Sequence, residues 1–66
     1  MDRDLPRETL MSMIVGTYRE MPGLSLHLRQ AARLFGVGAA TCQTVLDQLV
    51  SAGQLQRMPD GQYRGA

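Results

Sequence analysis

The chain has 66 residues, 44% of them hydrophobic, and a formal net charge of +1 at pH 7. A chain this short forms one domain with a small core, burying about 60% of the surface that its unfolded form exposes. The composition excludes a disordered chain, and the charge does not by itself indicate a nucleic-acid partner. The single cysteine excludes an internal disulfide and fits a reducing compartment. No secretory or membrane-spanning apolar run is found, so a cytoplasmic location without membrane association is the expectation.

The charges are unevenly distributed along the chain. Residues 1–20 carry three arginines against four carboxylates, which leaves −1, and residues 21–66 carry four arginines against two aspartates, which leaves +2. Every basic residue is arginine, whose forked guanidinium suits phosphate and guanine. The basic excess therefore lies in the second part of the chain.

The first predicted element is a helix over residues 6–21. Residues 1–5 are polar and are expected to fray, with Asp4 or Leu5 at the cap position. Pro6 suits the first helical turn, because its missing N–H would be unpaired there in any case. Apolar residues recur at helical spacing and form the predicted core stripe, which consists of Leu10, Ile14, Tyr18 and Met21, with Met11 and Val15 beside it.

The apolar arc from Leu10 to Val15 is wider than one core face needs. Two interpretations follow from this width. Helix 6–21 packs on a second copy of the chain and forms a homodimer, or flexible methionine side chains fill irregular gaps in a small core. The sequence leaves both open.

A strand and two helices are predicted next. Pro22-Gly23 ends the first helix, and residues 24–26 alternate apolar and polar as a short strand does. Helices over residues 28–35 and 39–52 follow, and Gly36 between them can take the left-handed conformation that ends a helix. Ala32 is expected to supply the small side chain where they cross, and His27 to cap the earlier helix weakly, so that it frays. The predicted buried positions are Leu28, Ala31, Ala32, Leu34, Phe35, Val37, Cys42, Val45, Leu46 and Leu49.

A hairpin over residues 54–64 completes the prediction. Proline, aspartate and glycine at 59–61 form its turn, since proline presets the first turn angle and glycine accepts a positive φ. Leu55 and Tyr63 should face the core and pair with residues 24–26 in a three-stranded antiparallel sheet. The predicted fold class is α+β, mostly α, in the order helix, strand, helix, helix, strand, strand.

This element order and the residues between 28 and 53 resemble the winged helix-turn-helix domains of small bacterial transcription regulators, the MarR-like and related groups. The resemblance covers about residues 24–65 and includes Leu55, Arg57, the turn at 59–61 and Tyr63. It implies that the second helix of the motif enters the DNA major groove while the hairpin, or wing, touches the flanking backbone.

On this interpretation the outward residues of helix 39–52 read the bases. Glutamine can bond adenine bidentately, and threonine can meet a thymine methyl or a phosphate. The helix has no Arg or Lys, and Asp47 would repel phosphates unless it accepts from a cytosine amino group or pairs with a nearby Arg. For Arg29 and Arg33, the alternative to phosphate binding is an ordinary solvated face. The predicted base contacts are Thr41, Gln43, Thr44 and Gln48, and the predicted backbone contacts are Arg29, Arg33, Arg57 and Arg64.

No catalytic, cofactor or metal site is predicted. His27 and Cys42 fall on different predicted elements, and a structural zinc site needs four Cys or His ligands where the chain has two such residues. The sequence predicts a module that binds double-stranded DNA in transcription regulation, as a dimer. The alternative is a winged helix that binds a partner protein through helix 39–52 or through the methionine-rich first helix.

Overall fold

The computed structural model describes residues 6–66, within which three helices and one three-stranded antiparallel sheet follow the order α-β-α-α-β-β. The predicted α+β layout, mostly helical and in this element order, is confirmed. The predictions for residues 1–5, including a cap at Asp4 or Leu5, lie outside the described residues. The elements are α1 (Arg7–Glu20), β1 (Ser25–Leu26), α2 (Leu28–Phe35), α3 (Ala39–Ser51), β2 (Leu55–Arg57) and β3 (Tyr63–Gly65).

Several element ends differ from the prediction by one or two residues. Pro6 has φ −53° and ψ 145°, so it caps α1 instead of forming its first turn. Met21 leaves the helix because the following proline disfavours helical backbone there. The first strand begins at Ser25 and not at residue 24, and α3 ends at Ser51 with Ala52 as its C-cap. The hairpin strands cover 55–57 and 63–65.

The core lies where all three helices meet one face of the sheet. Leu10, Ile14 and Tyr18 of α1 are buried as predicted, and so are Leu55 and Tyr63 from the hairpin. Two predictions of burial were wrong: Met21 is 47% exposed and Leu34 is 55% exposed. Met21 lies beyond the helix, and Leu34 points roughly 100° away from the buried arc of α2. The other buried residues are Ala31, Ala32, Phe35, Cys42, Val45, Leu46 and Leu49.

The sheet has the order β1-β3-β2, so β3 is central. Leu26 pairs with Tyr63 on one side, and Arg57 pairs with Tyr63 on the other. The Tyr18 hydroxyl donates a buried hydrogen bond of 2.8 Å to the Tyr63 carbonyl, which ties α1 to the central strand. Burial, and to a lesser extent the neighbouring Cys42 thiol, raises the pKa of Tyr18 to about 12.

The junction between α2 and α3 follows the expected geometry. Gly36 has φ 73°, and its N–H and that of Val37 both donate to the Ala32 carbonyl, at 2.9 and 3.1 Å. At the other end of α2, the Gln30 side-chain oxygen accepts a 2.9 Å bond from the His27 backbone N–H. This bond was not predicted from the sequence. It stabilises the start of α2, where the histidine cap was expected to be weak. Within residues 6–66, no helix combines the length and apolar character needed to cross a membrane.

Enlarging the small residues of α2 should separate their roles. Ala31 is 0% exposed, so Ala31→Leu overpacks the core and should lower the free energy of unfolding by about 1–3 kcal/mol. Ala32, which the sequence analysis placed at the crossing, is 9% exposed and borders a surface cavity that Ala39 shares. Ala32→Leu should therefore cost less. Urea denaturation measures both, and equal losses would show that the two sites are packed alike.

Alkaline pH should destabilise the fold through Tyr18. Its pKa is about 12 in the fold against an ordinary value of 10.0, so the folded state holds the proton more tightly. The free energy of unfolding that this protonated hydroxyl contributes is fully present below pH 10 and is lost as the pH rises toward 12. Tyr18→Phe should flatten this loss without abolishing it, because burial also raises the pKa of Tyr63 and of Cys42. Thermal denaturation at pH 8 to 12 measures it, and an unchanged slope would contradict the assignment.

Candidate nucleic-acid interface

The outer face of α3 carries the predicted base-reading residues. The buried residues of α3 lie on one side of the helix, so the residues between them face outward at helical spacing. Thr44 is central on this outer face and exposed. Thr41, which is half-buried, and Gln48 line cavities with Arg7 of α1, and Gln43 lies on the opposite side of Thr44. Asp47 lines one of these cavities and also bonds Tyr63 of the hairpin. All four predicted residues therefore border one helix face.

The Thr44 side chain is partly committed within the helix. Its hydroxyl donates a 3.1 Å hydrogen bond to the Ala40 carbonyl one turn earlier. The methyl group and the oxygen lone pairs remain for other contacts. Thr44 can thus contact a thymine methyl group or accept a hydrogen bond. Its hydroxyl proton is already donated within the helix, so it is not free to donate to a phosphate.

Arg29 and Arg33 belong to α2 and lie beside the start of α3. They line a cavity of about 390 Å³ together with Ala39, the first residue of that helix. Gly38 caps α3 and has no side chain, so the cap residue itself makes no side-chain hydrogen bond to the start of the helix. Two exposed guanidiniums and the positive end of a helix therefore share one surface, which is the composition of a phosphate-binding site.

Arg57 and Asp47 flank the Tyr63 hydroxyl on the hairpin side of α3. This hydroxyl donates to the Asp47 carboxylate over a long 3.4 Å. Burial and the Asp47 charge raise the pKa of Tyr63, while the nearby Arg57 charge lowers it. Arg57 is near enough for its charge to lower the pKa of Tyr63, which offsets part of the effect of the Asp47 charge there.

Arg64 lies apart from the other predicted backbone contacts. Successive residues of a strand point to opposite faces of the sheet, and Tyr63 faces the core. Arg64 therefore lies on the outer face of the sheet, in register with Ser25 and Gln56 and away from α3. Arg29 and Arg33 border the first residue of α3 and Arg57 lies near Tyr63, whereas Arg64 lies on the opposite face of the sheet.

Arg7 is a neighbour of α3 that the sequence analysis did not select. It begins α1, is exposed, and lines two cavities against the outer face of α3, of about 350 and 750 Å³. Thr44 borders both of them. In the sequence, Arg7 is recognisable only as the residue one helical turn before Met11. The sequence does not show that Met11 lies beside α3, so it could not place Arg7 there. The α3 neighbours of Arg7 in these cavities are Ala40, Thr41, Thr44, Val45, Asp47, Gln48, Ser51 and Ala52.

The wing turn is internally bonded. Gly61 has φ 91°, and its N–H donates to the Met58 carbonyl at 2.9 Å. The Asp60 carboxylate accepts from the Gln62 backbone N–H at 3.0 Å and from the Gln62 amide at 2.9 Å. These bonds hold the pKa of Asp60 below its ordinary value. Both aspartates of residues 21–66 thus accept internal hydrogen bonds, while the four arginines in that range are exposed.

Cys42 and His27 do not form a reactive pair. Cys42 is 0% exposed in the core, and burial raises the pKa of its thiol, which disfavours the nucleophilic thiolate. His27 is exposed at the start of α2. In the part of the chain from 6 to 66, no three His, Cys, Asp or Glu side chains are grouped so as to hold a metal ion.

The chain matches no protein-family model, and no curated protein and no solved structure shows significant similarity to it. Its function is therefore inferred from the geometry of its own residues.

Proposed function

We propose that this chain is the DNA-binding module of a bacterial transcription regulator, with α3 in the major groove and the wing on the flanking backbone. One observation carries the proposal. Arginines from α1 and α2 border a single short helix that bears amide and hydroxyl side chains: Arg7 lines cavities along its outer face, and Arg29 and Arg33 line a cavity at its first residue. Such a regulator acts in the cytoplasm. The resemblance of residues 24–65 to the MarR-like groups supports the same role.

The dimensions of α3 suit a groove. Its 13 residues span roughly 20 Å, and the major groove is about 12 Å wide, enough to admit one helix. Ala39 and Ala40 at its start are short and exposed, so the helix end can approach the bases closely. Gln43 and Gln48 flank Thr44 on either side, and each can bond adenine at N6 and N7. These three residues are the proposed base readers, with Thr41 at the α1 edge.

Phosphate contacts come from the surrounding arginines. Arg29 and Arg33 bind phosphates near the start of α3, Arg57 binds one on the wing side, and Arg7 binds one on the α1 side. Four neutralised phosphates per copy give a salt dependence of log K of about −3 to −4, which is modest for a specific protein. Tight binding therefore requires two copies on one DNA site, each reading a half-site.

A second candidate function, a protein-binding winged helix, is favoured by a specific observation. α3 contains no basic residue and presents the exposed Asp47, while Leu34 on α2 is 55% exposed. A partner protein would contact these residues without needing the arginines. The two functions therefore differ in which substitutions weaken binding and in how binding responds to salt.

Removing single arginines should reveal phosphate contacts. We expect Arg29→Ala, Arg57→Ala and Arg7→Ala each to reduce the slope of log K against log salt by about one unit. The matched control is Arg64→Ala, an exposed arginine on the outer sheet face, which should leave the slope unchanged. Fluorescence anisotropy of a labelled duplex between low and moderate salt provides the measurement. If the wild-type chain does not bind duplex DNA at low salt, the DNA-binding proposal fails and the protein-binding one replaces it.

Neutralising Asp47 should strengthen DNA binding. Asp47→Asn removes a negative charge from the α3 face, and the amide oxygen can still accept from Tyr63, so the fold is retained. We expect affinity for duplex DNA to rise about two- to fivefold at low salt, the gain declining as salt increases. The same anisotropy titration measures this. Weaker binding confined to sites with a particular cytosine would instead identify Asp47 as a base reader.

A further inference from the structure

The outward side of α1 carries a regular stripe of residues. Glu8, Ser12, Val15 and Arg19 follow one another at spacings of four, three and four, so they lie along one line of the helix. This line is roughly 130° from the buried stripe of α1. Val15 is half-buried and the other three are exposed. The stripe has a carboxylate at one end, a guanidinium at the other, and small or apolar side chains between them.

A cavity of about 460 Å³ runs beside this stripe. Met11 and Val15 border it from α1, and Leu49 and Ala52 border it from α3. Gly16 lines it as well, and a Cβ atom added at Gly16 would meet nothing within 4 Å. A glycine within a helix costs about 1 kcal/mol of helix stability relative to alanine, and nothing inside the single chain requires it here. The space above α1 is therefore open to an approaching helix.

Glu8 and Arg19 of one α1 helix are complementary to the same two residues of a second copy when the two helices run antiparallel. If a second α1 lies antiparallel with the two-fold axis between positions 13 and 14, Glu8 of each helix lies opposite Arg19 of the other. The same register places Ser12 opposite Val15. The pairing forms two symmetric ion pairs at the ends and leaves no like charges opposed along the stripe. A parallel arrangement would instead put Glu8 against Glu8 and Arg19 against Arg19.

We propose that α1 is a homodimer interface, in which a second copy of this chain packs antiparallel along Glu8, Ser12, Val15 and Arg19. On one edge of the pair, Met11 and Val15 meet the same residues of the copy. On the other edge, Ser12 and Gly16 meet theirs, and their small size lets the backbones approach. The proposal specifies the face, direction and register of the contact, and it does not depend on DNA binding.

The arrangement has a consequence for α3. The two-fold axis runs perpendicular to the helix pair, so a feature at one edge of α1 recurs at the same edge in the copy. α3 lies nearer the Met11 edge, because Met11 lines a second cavity with Gln48 and Ser51 of α3 that Ser12 and Gly16 do not line. Both copies of α3 therefore lie on the same side of the dimer, as two helices reading one DNA site must. The interface is essentially one helix pair, so its affinity is weak without DNA.

Charge reversal tests the register. Sedimentation velocity of the full chain, at concentrations up to about 500 µM, should show a monomer–dimer equilibrium, as an interface this small requires. Glu8→Arg alone, or Arg19→Glu alone, should weaken dimerisation about tenfold or more, because each creates two like-charge contacts. The double variant Glu8→Arg with Arg19→Glu should restore it. A wild-type chain that remains monomeric, or a double variant no better than the single ones, overturns the proposal.

Two controls separate association from helix stability. Both reversals place charges unfavourably at the ends of α1, so the double variant should have the least stable helix while regaining the dimer, and circular dichroism reports that stability separately. Glu20→Arg reverses a charge roughly 110° away from the stripe and should leave dimerisation unchanged. Gly16→Leu has room in the single chain and should keep the fold while weakening the dimer. Dimerisation unaffected by Gly16→Leu would also contradict the proposed register.

Discussion

Tyr63 is the residue on which the arrangement of this domain depends. Its carbonyl accepts the buried hydroxyl of Tyr18, which holds α1 against the central strand. Its ring is 2% exposed, and its hydroxyl reaches Asp47 on α3. Its backbone pairs with both outer strands, at Leu26 and at Arg57. One side chain and its peptide group therefore relate the first helix, the candidate reading helix and the wing to one another. In a chain of 66 residues, few other contacts can do this.

The contacts of Tyr63 also determine where Arg57 and Arg7 lie. Arg57 occupies the register position opposite Tyr63, on the core-facing side of the hairpin, where its charge acts on the Tyr63 hydroxyl that bonds Asp47. Arg64 is one residue further along the chain and faces the opposite way. Arg7 approaches from the other edge because α1 is held against the sheet through Tyr18. The positive charge near α3 thus comes from neighbouring elements and not from the helix itself.

The sequence was sufficient for features that local chemistry determines. The bounds of α2 followed from a capping position and from a glycine at Gly36, whose φ of 73° suits glycine. Alternation predicted that Leu55 and Tyr63 are buried. Features that depend on how elements pack were missed or misplaced. The position of Arg7 beside α3 follows only once α1 lies against α3, and the position of Arg64 on the outer face of the sheet follows only once the strand register is known. Leu34 was predicted buried because apolar type was given more weight than its angle on a short helix.

The low net charge and the stripe on α1 can be understood together. A module with four phosphate contacts binds DNA weakly, and weak binding to any one half-site limits occupation of wrong sites. Joining two modules makes the second binding event intramolecular, so a DNA site with both half-sites gains affinity that a single half-site does not. For that gain the two reading helices must face the same way, and an antiparallel α1 pair with a perpendicular two-fold axis meets this condition. A weak dimer is then an advantage, because its association is strengthened where two half-sites are correctly spaced and nowhere else.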